Sequence, residues 1–355
     1  MPRRAPADLI PVTVLTGFLG SGKTTVLSHL LGQPAFVNTA VVINEFGEIS
    51  LDHALVRKTS EDIVELQGGC LCCTARGDLL GALQDLFRRR KHGMVPPFER
   101  VVVETTGLAD PAPILHTLMR DRLIVAVYRL DGVVTTVDCV NGANTLNTHP
   151  ESVKQAAVAD RLLLTKTDLA TPHAVDSLRL RLGILNPSVP VSVVENGRVD
   201  PSVLFGVGLY DVGSKCADVG RWLRDQSLAA QVDASDHEHH YRDVNRHDDS
   251  IGAYCVTRDE PVSGAAFGFF LESLVAGKGA DLLRVKGIVN VAERPETPAV
   301  IHGVQHLFHP VQWLESWPDD DRRTRIVFIT RDIAKAQIEA FLDALHASEP
   351  PPLST

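Results

Sequence analysis

Apolar residues in the first two-thirds of this 355-residue chain fall in short continuous runs rather than in strict alternation. Residues 12–16, 40–43, 63–66, 100–103, 133–137, 161–164 and 191–194 each read as a buried strand. Runs of this length and continuity fit a parallel sheet covered on both faces. Between them, Val26, Leu27, Leu30 and Leu31 recur at helical spacing, and further helices are predicted over 78–90, 112–119 and 174–182. The alternation of strand and helix predicts an α/β fold, a doubly wound, mostly parallel sheet occupying residues 1–232. The pattern then breaks. Residues 233–249 are dominated by Asp and His, among them Asp236, His237, Glu238, His239, His240 and His247. Such a segment has no apolar area to bury and reads as a linker. Beyond it, strands at 251–257, 282–291 and 325–330 and helices at 265–275 and 334–345 predict a smaller α+β domain over 250–355.

Charge and composition narrow the function classes. A net charge of −9 and 5% aromatic residues argue against nucleic acid, which asks for a basic footprint or stacking platforms. The run from Arg88 to Lys91 is the one basic cluster of note and reads as a solvated helix end. No apolar run of 18 residues occurs, so no membrane span is expected, and Asp8 and Pro11 interrupt any leader behind Arg3 and Arg4. Three of the six cysteines are Cys70, Cys72 and Cys73. Packed thiols suit a soft metal ion in a reducing compartment better than a disulfide, which points to the cytoplasm.

The segment Gly17-Phe-Leu-Gly-Ser-Gly-Lys-Thr24 fits G-x-x-x-x-G-K-[ST], placed between a strand and an amphipathic helix. Glycines let backbone N–H groups converge on phosphate oxygens without Cβ clashes, and the helix start adds its partial positive charge. In this cradle Lys23 reaches the β and γ phosphates, Thr24 ligates Mg²⁺, and Gly20, Ser21, Gly22 and Thr25 lie close to the phosphates. A second motif, Val101-Val-Val-Glu104-Thr-Thr-Gly107, ends an apolar strand in a carboxylate. Glu104 is the candidate for Mg²⁺ or its water and the Gly107 amide for sensing the γ phosphate. Thr165-Lys166-Thr167-Asp168 follows another buried strand. Asp168 can accept from both N1–H and the exocyclic amine of guanine, and the Lys166 stem packs on the purine, so GTP is the expected nucleotide.

The segment Gly68-Gly-Cys-Leu-Cys-Cys73 lies between these two phosphate motifs. Three thiolates match Zn²⁺ or Cu⁺, and their spacing predicts a loop around one shared ion with a fourth position open to exchange. Asn44-Glu45-Phe-Gly47 and Asp52 precede it, in the interval where P-loop GTPases carry their switches. Glu45 and Asp52 are therefore candidates for positioning the attacking water. Ordering of a switch by the γ phosphate would move the cysteines. His237, His239 and His240 are weaker, auxiliary metal candidates. Cys139, Cys216 and Cys255 carry no assigned role, and His302, His306 and His309 read as structural.

Together these segments resemble the CobW family of SIMIBI-class GTPases, including its zinc-chaperone branch. The likeness rests on residues 11–25, Asn44-Glu-Phe-Gly47, Gly69-Cys-Leu-Cys-Cys-Thr74, Glu104-Thr-Thr-Gly-Leu-Ala-Asp-Pro111 and Thr165-Lys-Thr-Asp168, and in the C-terminal part on Gly303–Pro310 and Trp317-Pro318. It implies slow hydrolysis of GTP with Mg²⁺, zinc at the Cys-x-Cys-Cys motif, delivery to a client protein, and a second copy of the chain as a candidate partner. The sequence departs from the family pattern at Thr165, where Asn is common, and at Gly68. Phe18 and Leu19 stand where the class carries a signature lysine, and no arginine finger can be assigned. Cobalt insertion in cobalamin synthesis and iron insertion into a nitrile-hydratase-like client remain open beside zinc. So do a P-loop kinase with an accessory metal site and a passive metal buffer.

Overall fold

The computed structural model describes residues 9–44, 56–58, 63–66, 71–74, 79–187, 189–195, 197–207 and 251–347, of which 44, 56–58, 63–66, 71–74 and 345–347 are described as backbone. Glu45, Asp52, Cys70, His237, His239, His240 and the whole 233–249 segment lie outside the described residues. Contacts divide the chain into two compact units, Met1–Gly183 with Val189–Lys215, and Ile184–Ser188 with Cys216–Thr355.

Among the described residues the first unit is built on nine strands: β1 (Ile10–Gly17), β2 (Thr39–Asn44), β3 (Val56–Lys58), β4 (Ile63–Leu66), β5 (Leu71–Thr74), β6 (Arg100–Thr105), β7 (Tyr128–Asp138), β8 (Arg161–Thr165) and β9 (Val191–Val193). Their order is β3-β4-β5-β2-β6-β1-β7-β8-β9. Every pairing from β5 to β9 is parallel. The helices are α1 (Lys23–Leu31), α2 (Leu79–Lys91), α3 (Ala112–Arg120), α4 (Gly142–Thr148), α5 (Pro150–Ala157) and α6 (Pro172–Leu185). The central strands are apolar on successive residues because both faces are buried. Val12, Val14 and Leu15 of β1 are fully covered, and Leu15 joins Val26, Leu27 and Leu30 of α1 in one core cluster. The expected doubly wound, mostly parallel sheet is what forms.

Two expectations change. The 63–66 run does form a strand, but β4 pairs antiparallel with both β3 and β5 and extends the parallel sheet at its edge. Of the cysteine segment, read as a loop, Leu71–Thr74 form strand β5, which pairs in parallel with β2. Cysteine packs as a small apolar residue, so Leu71-Cys-Cys-Thr74 satisfies a strand as readily as a turn. Helices α4 and α5 were not foreseen. Their sequence is polar and broken by Asn141, Gly142 and Pro150, so it carries little helical periodicity.

The basic run at 88–91 ends α2, as expected of cations at a helix C-terminus. Arg88 and Arg89 both pair with Asp85, and Arg90 donates to the Phe98 carbonyl while lying over its ring.

The second unit is a six-stranded antiparallel sheet of β10 (Ile251–Arg258), β11 (Leu282–Val289), β12 (Ala299–Val304), β13 (Leu307–Phe308), β14 (Gln312–Trp313) and β15 (Thr324–Arg331). Helices α7 (Gly264–Lys278), capped by Ser263, and α8 (Lys335–Ala347) accompany it. Phe267, Phe270 and Leu274 of α7 pack with Val285, Val289, Ile301, Ile326 and Phe328 of the sheet. His302 is buried in β12 opposite Lys286, its ring 4.9 Å from that of His309. Burial lowers the basicity of His302 well below the ordinary imidazole value, and the charges of Arg284, His309 and Lys286 act in the same direction. The folded protein therefore keeps this ring neutral below pH 6.5, where the unfolded chain takes up a proton. Stability falls as the pH drops below that value. Urea titrations between that pH and about pH 5 are expected to show an acid limb that His302→Phe flattens by up to ~1.4 kcal/mol per pH unit.

Candidate nucleotide site

The carboxyl ends of β1, β6, β7 and β8 converge on the segment that joins β1 to α1. That is where open α/β sheets hold their ligands. Gly17 ends β1 with φ 144, and a Cβ there would lie 2.3 Å from Thr136 Oγ1 and 2.5 Å from the Thr136 carbonyl oxygen. Only glycine fits. Gly20 and Gly22 take φ 70 and 90, the left-handed region, and Gly22 caps α1 with no side chain in the way of its first amides. Left-handed glycines and a glycine-capped helix start are the geometry in which a loop's backbone N–H groups can converge on an anion.

Lys23 opens α1 and is 6% exposed. Its ammonium donates to the carbonyls of Gly17 (2.9 Å) and Phe18 (3.2 Å), which holds the charge across the loop. The Thr24 hydroxyl donates to Glu104 Oε1 at 2.6 Å. Glu104 is fully buried near the end of β6, in the same sheet row as Leu15 and Ile43. A hydroxyl and a carboxylate in contact at a phosphate-binding helix start are the hard oxygen donors that Mg²⁺ takes, so the residues present fit that ion. Behind Glu104 the chain turns at Gly107. A Cβ there would come within 2.6 Å of the Leu19 backbone nitrogen, so this loop lies directly against the glycine-rich one.

On the other flank, Thr165 ends β8. Its hydroxyl donates to the Ser21 carbonyl at 2.7 Å and reaches the Val137 carbonyl at 3.3 Å. The departure from Asn thus keeps a side-chain donor on the phosphate loop. Lys166 adopts φ 56, and its ammonium pairs with Asp138 Oδ2 at 2.7 Å. Burial raises the Asp138 pKa, but hydrogen bonds from Lys166, Asn141 and the Val140 amide outweigh it and bring the carboxyl below its usual value. Asp138 therefore stays ionised and anchors the lysine. Asp168 follows on the exposed turn Thr167–Leu169. Gly197, at φ 76 after β9, lies over the first turn of α1, where a Cβ would stand 3.0 Å from Thr25 Cγ2.

The contacts above bring Gly17, Gly20, Ser21, Gly22, Lys23, Thr24, Thr25, Glu104, Gly107, Thr165 and Lys166 to the carboxyl edge of one sheet, with Asp168 on the adjoining turn. Thr136, Asp138 and Gly197 touch these residues and were missed. Asp138 had a signal, since it ends an apolar strand just as Glu104 nearly does. Cys72 and Cys73 occupy β5 opposite Val41 and Val42, and Val42 in turn pairs with Val103 and Val103 with Val14. The cysteine strand is therefore three strand spacings from β1, roughly 14 Å. Among the described residues no group of three or more His, Cys, Asp or Glu side chains is arranged to hold a metal, and no helix is long and apolar enough to cross a membrane. Burial beside Asp138 pushes the Cys139 thiol up to about 11, so it stays protonated at neutral pH.

A family profile described as the CobW/HypB/UreG nucleotide-binding domain matches residues 11–193, and the cobalamin synthesis protein cobW C-terminal domain matches 251–346. The chain belongs to the CobW family. The zinc chaperone YjiA of Escherichia coli K12 is 33% identical over 337 residues, covering 95% of this chain and 99% of the relative. The crystal structure of the Zn(II)-bound YjiA GTPase superposes with a TM-score of 0.73 at 32% identity over the same shares of both chains. The zinc chaperone CobW of Pseudomonas aeruginosa is 28% identical over 95% of this chain and 92% of its own length. The CobW nucleotide-binding domain accounts for the assembly of glycines, Lys23, Thr24 and Glu104 at the carboxyl edge of the sheet.

Proposed function

We propose that this chain is a cytoplasmic GTP-hydrolysing metallochaperone that takes zinc as cargo at Cys70, Cys72 and Cys73 and passes it to a client protein in a nucleotide-dependent way. The observation that carries the hydrolase half is the Thr24–Glu104 contact beside the buried Lys23, at the start of a helix that a glycine loop leaves open. The zinc half rests on the thiol motif and on relatives named as zinc chaperones.

In this reading the loop amides and Lys23 bind the β and γ phosphates and neutralise charge on the transferring oxygens. Thr24 and Glu104 would hold Mg²⁺, which would supply positive charge to offset that of the phosphate oxygens. Thr165, Lys166 and Asp168 receive the guanine, with Asp138 fixing the lysine. Water attacks the γ phosphorus in line and GDP departs with its β oxygen. Glu45 and Asp52 are the candidates for orienting that water. The Gly107 amide meets the γ phosphate, so the loop after β6 and the neighbouring strands β2 and β5 feel its loss. Hydrolysis is thereby coupled to the thiols through adjacent strands of one sheet.

The test is GTP turnover against zinc concentration, with bound zinc measured in parallel, for wild type and a Cys70/Cys72/Cys73 triple serine variant. Wild type is expected to bind one zinc per chain and to change its turnover with zinc. The variant should lose both responses while retaining nucleotide binding. Equal zinc binding by the two proteins would remove the cysteines from the mechanism.

A further inference from the structure

The glycine at 107 is required by its approach to Leu19, and that requirement creates a problem. Glycine has the widest conformational range of any residue, so an amide that must meet a phosphate sits on the least constrained backbone. The constraint comes from α5. Gln155 is fully buried, and its side-chain amide spends both hydrogens on this loop, donating to the carbonyls of Gly107 at 3.2 Å and Ala109 at 3.0 Å. The preceding residue, Lys154, pairs with Asp110 at 2.8 Å. Asp110 also accepts from the amide of Ala112 and so fixes the entry into α3. The helix is itself secured: the Thr135 hydroxyl of β7 donates to the Gln155 carbonyl at 2.8 Å. At its start, the His149 ring stacks on Phe18, the residue after Gly17, with centroids 4.4 Å apart. A cavity of ≈ 200 Å³ lies alongside, lined among others by Leu19, Ser21, Thr136, Ser152 and Gln155.

We infer that Gln155 and Lys154 are positioning residues for the nucleotide reaction: they hold the 106–110 loop so that the Gly107 amide is preset for the terminal phosphate of a nucleoside triphosphate. This rests on the proposed reading of the site as one that binds and hydrolyses GTP. Pinning the Gly107 and Ala109 carbonyls fixes the peptide planes that follow these two residues, and so limits the motion of the glycine whose own amide lies in the plane just before. Among uncharged side chains of this length, only a primary amide gives two donors to two carbonyls from one buried position. Leucine has the size and no donor, and a glutamate carboxylate would face both oxygens with acceptors. Through the Phe18–His149 stack the same helix also touches the phosphate loop, so α5 reports on both sides of the γ phosphate.

The experiment measures affinity for a fluorescent GDP and for a fluorescent non-hydrolysable GTP analogue, together with kcat and KM for GTP, in wild type, Gln155→Leu, Lys154→Met and Lys154→Arg. Gln155→Leu is expected to bind GDP within about 2-fold of wild type while losing about 10-fold in analogue affinity and in kcat, the scale of two lost hydrogen bonds. Lys154→Met should lose a few-fold in the same two quantities, and Lys154→Arg should keep the wild-type ratio. Lys154 is partly exposed, so its variants carry the test even where the buried glutamine variant fails to fold. GDP and analogue affinities that fall together, or an unchanged ratio beside a lowered unfolding temperature, would reduce these residues to structural packing and overturn the inference. A wild type that binds neither nucleotide would overturn the GTPase reading along with it, whereas wild-type discrimination that survives in every variant defeats the inference alone.

Discussion

Lys23→Ala is expected to lower single-turnover GTP hydrolysis by ~10²–10³-fold, the scale on which removal of one preset charge-stabilising donor acts. The ammonium is already held by the Gly17 and Phe18 carbonyls at the mouth of the loop. It therefore meets charge developing on the γ-phosphoryl oxygens with little reorganisation, in a place only 6% exposed. The backbone amides, the left-handed glycines and the Thr24–Glu104 pair survive the substitution. GDP affinity should accordingly fall much less than turnover does. Stopped-flow phosphate release under single-turnover conditions, set beside GDP titration, separates the two. A turnover loss under about 10-fold would mean that the ammonium stays on its loop carbonyls during the reaction.

What sequence made visible follows from what local chemistry demands. Three glycines at positive φ, a lysine and a threonine leave a spaced pattern because each is irreplaceable where it stands, Gly17 against Thr136 and Gly22 at the start of α1. Strands β1, β6, β7 and β8 were visible because burial on both faces forces continuous apolar runs. Pairing partners leave no such trace. That β4 runs antiparallel, and that Leu71–Thr74 joins β2 as a strand, depends on residues distant in the chain. Helices α4 and α5 escaped because their buried residues include Ser152 and Gln155, chosen for donors rather than apolar area. Asp138 shows in sequence as a carboxylate ending an apolar strand, but its task of anchoring Lys166, 28 residues away, does not. The missed residues are thus those whose role is to hold another side chain or loop, which is a relation between segments rather than a property of one.

That relation decides the second large effect, Asp168→Asn. The carboxylate itself is exposed on the Thr167–Leu169 turn, yet the residues before it are anchored: the buried Thr165 hydroxyl donates to the Ser21 carbonyl, and Lys166, at φ 56, pairs with Asp138. Guanine presents N1–H and an exocyclic amine, two donors for a carboxylate. Asparagine offers one acceptor and one amine, so the amine meets a donor and both charge-assisted bonds are lost. At about 1.5–3 kcal/mol for each hydrogen bond to a charged group, GTP affinity should fall by ~10²–10⁴-fold. Xanthine carries a carbonyl where guanine carries its amine, and the asparagine amine complements it. The variant should therefore prefer XTP to GTP, the reverse of wild type. Competition of GTP, XTP and ATP against a fluorescent GDP measures all three preferences at once. A variant that still binds GTP best, or a wild type that binds ATP as well as GTP, would take base reading away from Asp168. The phosphate site alone would then fit a P-loop kinase as well as it fits a GTPase.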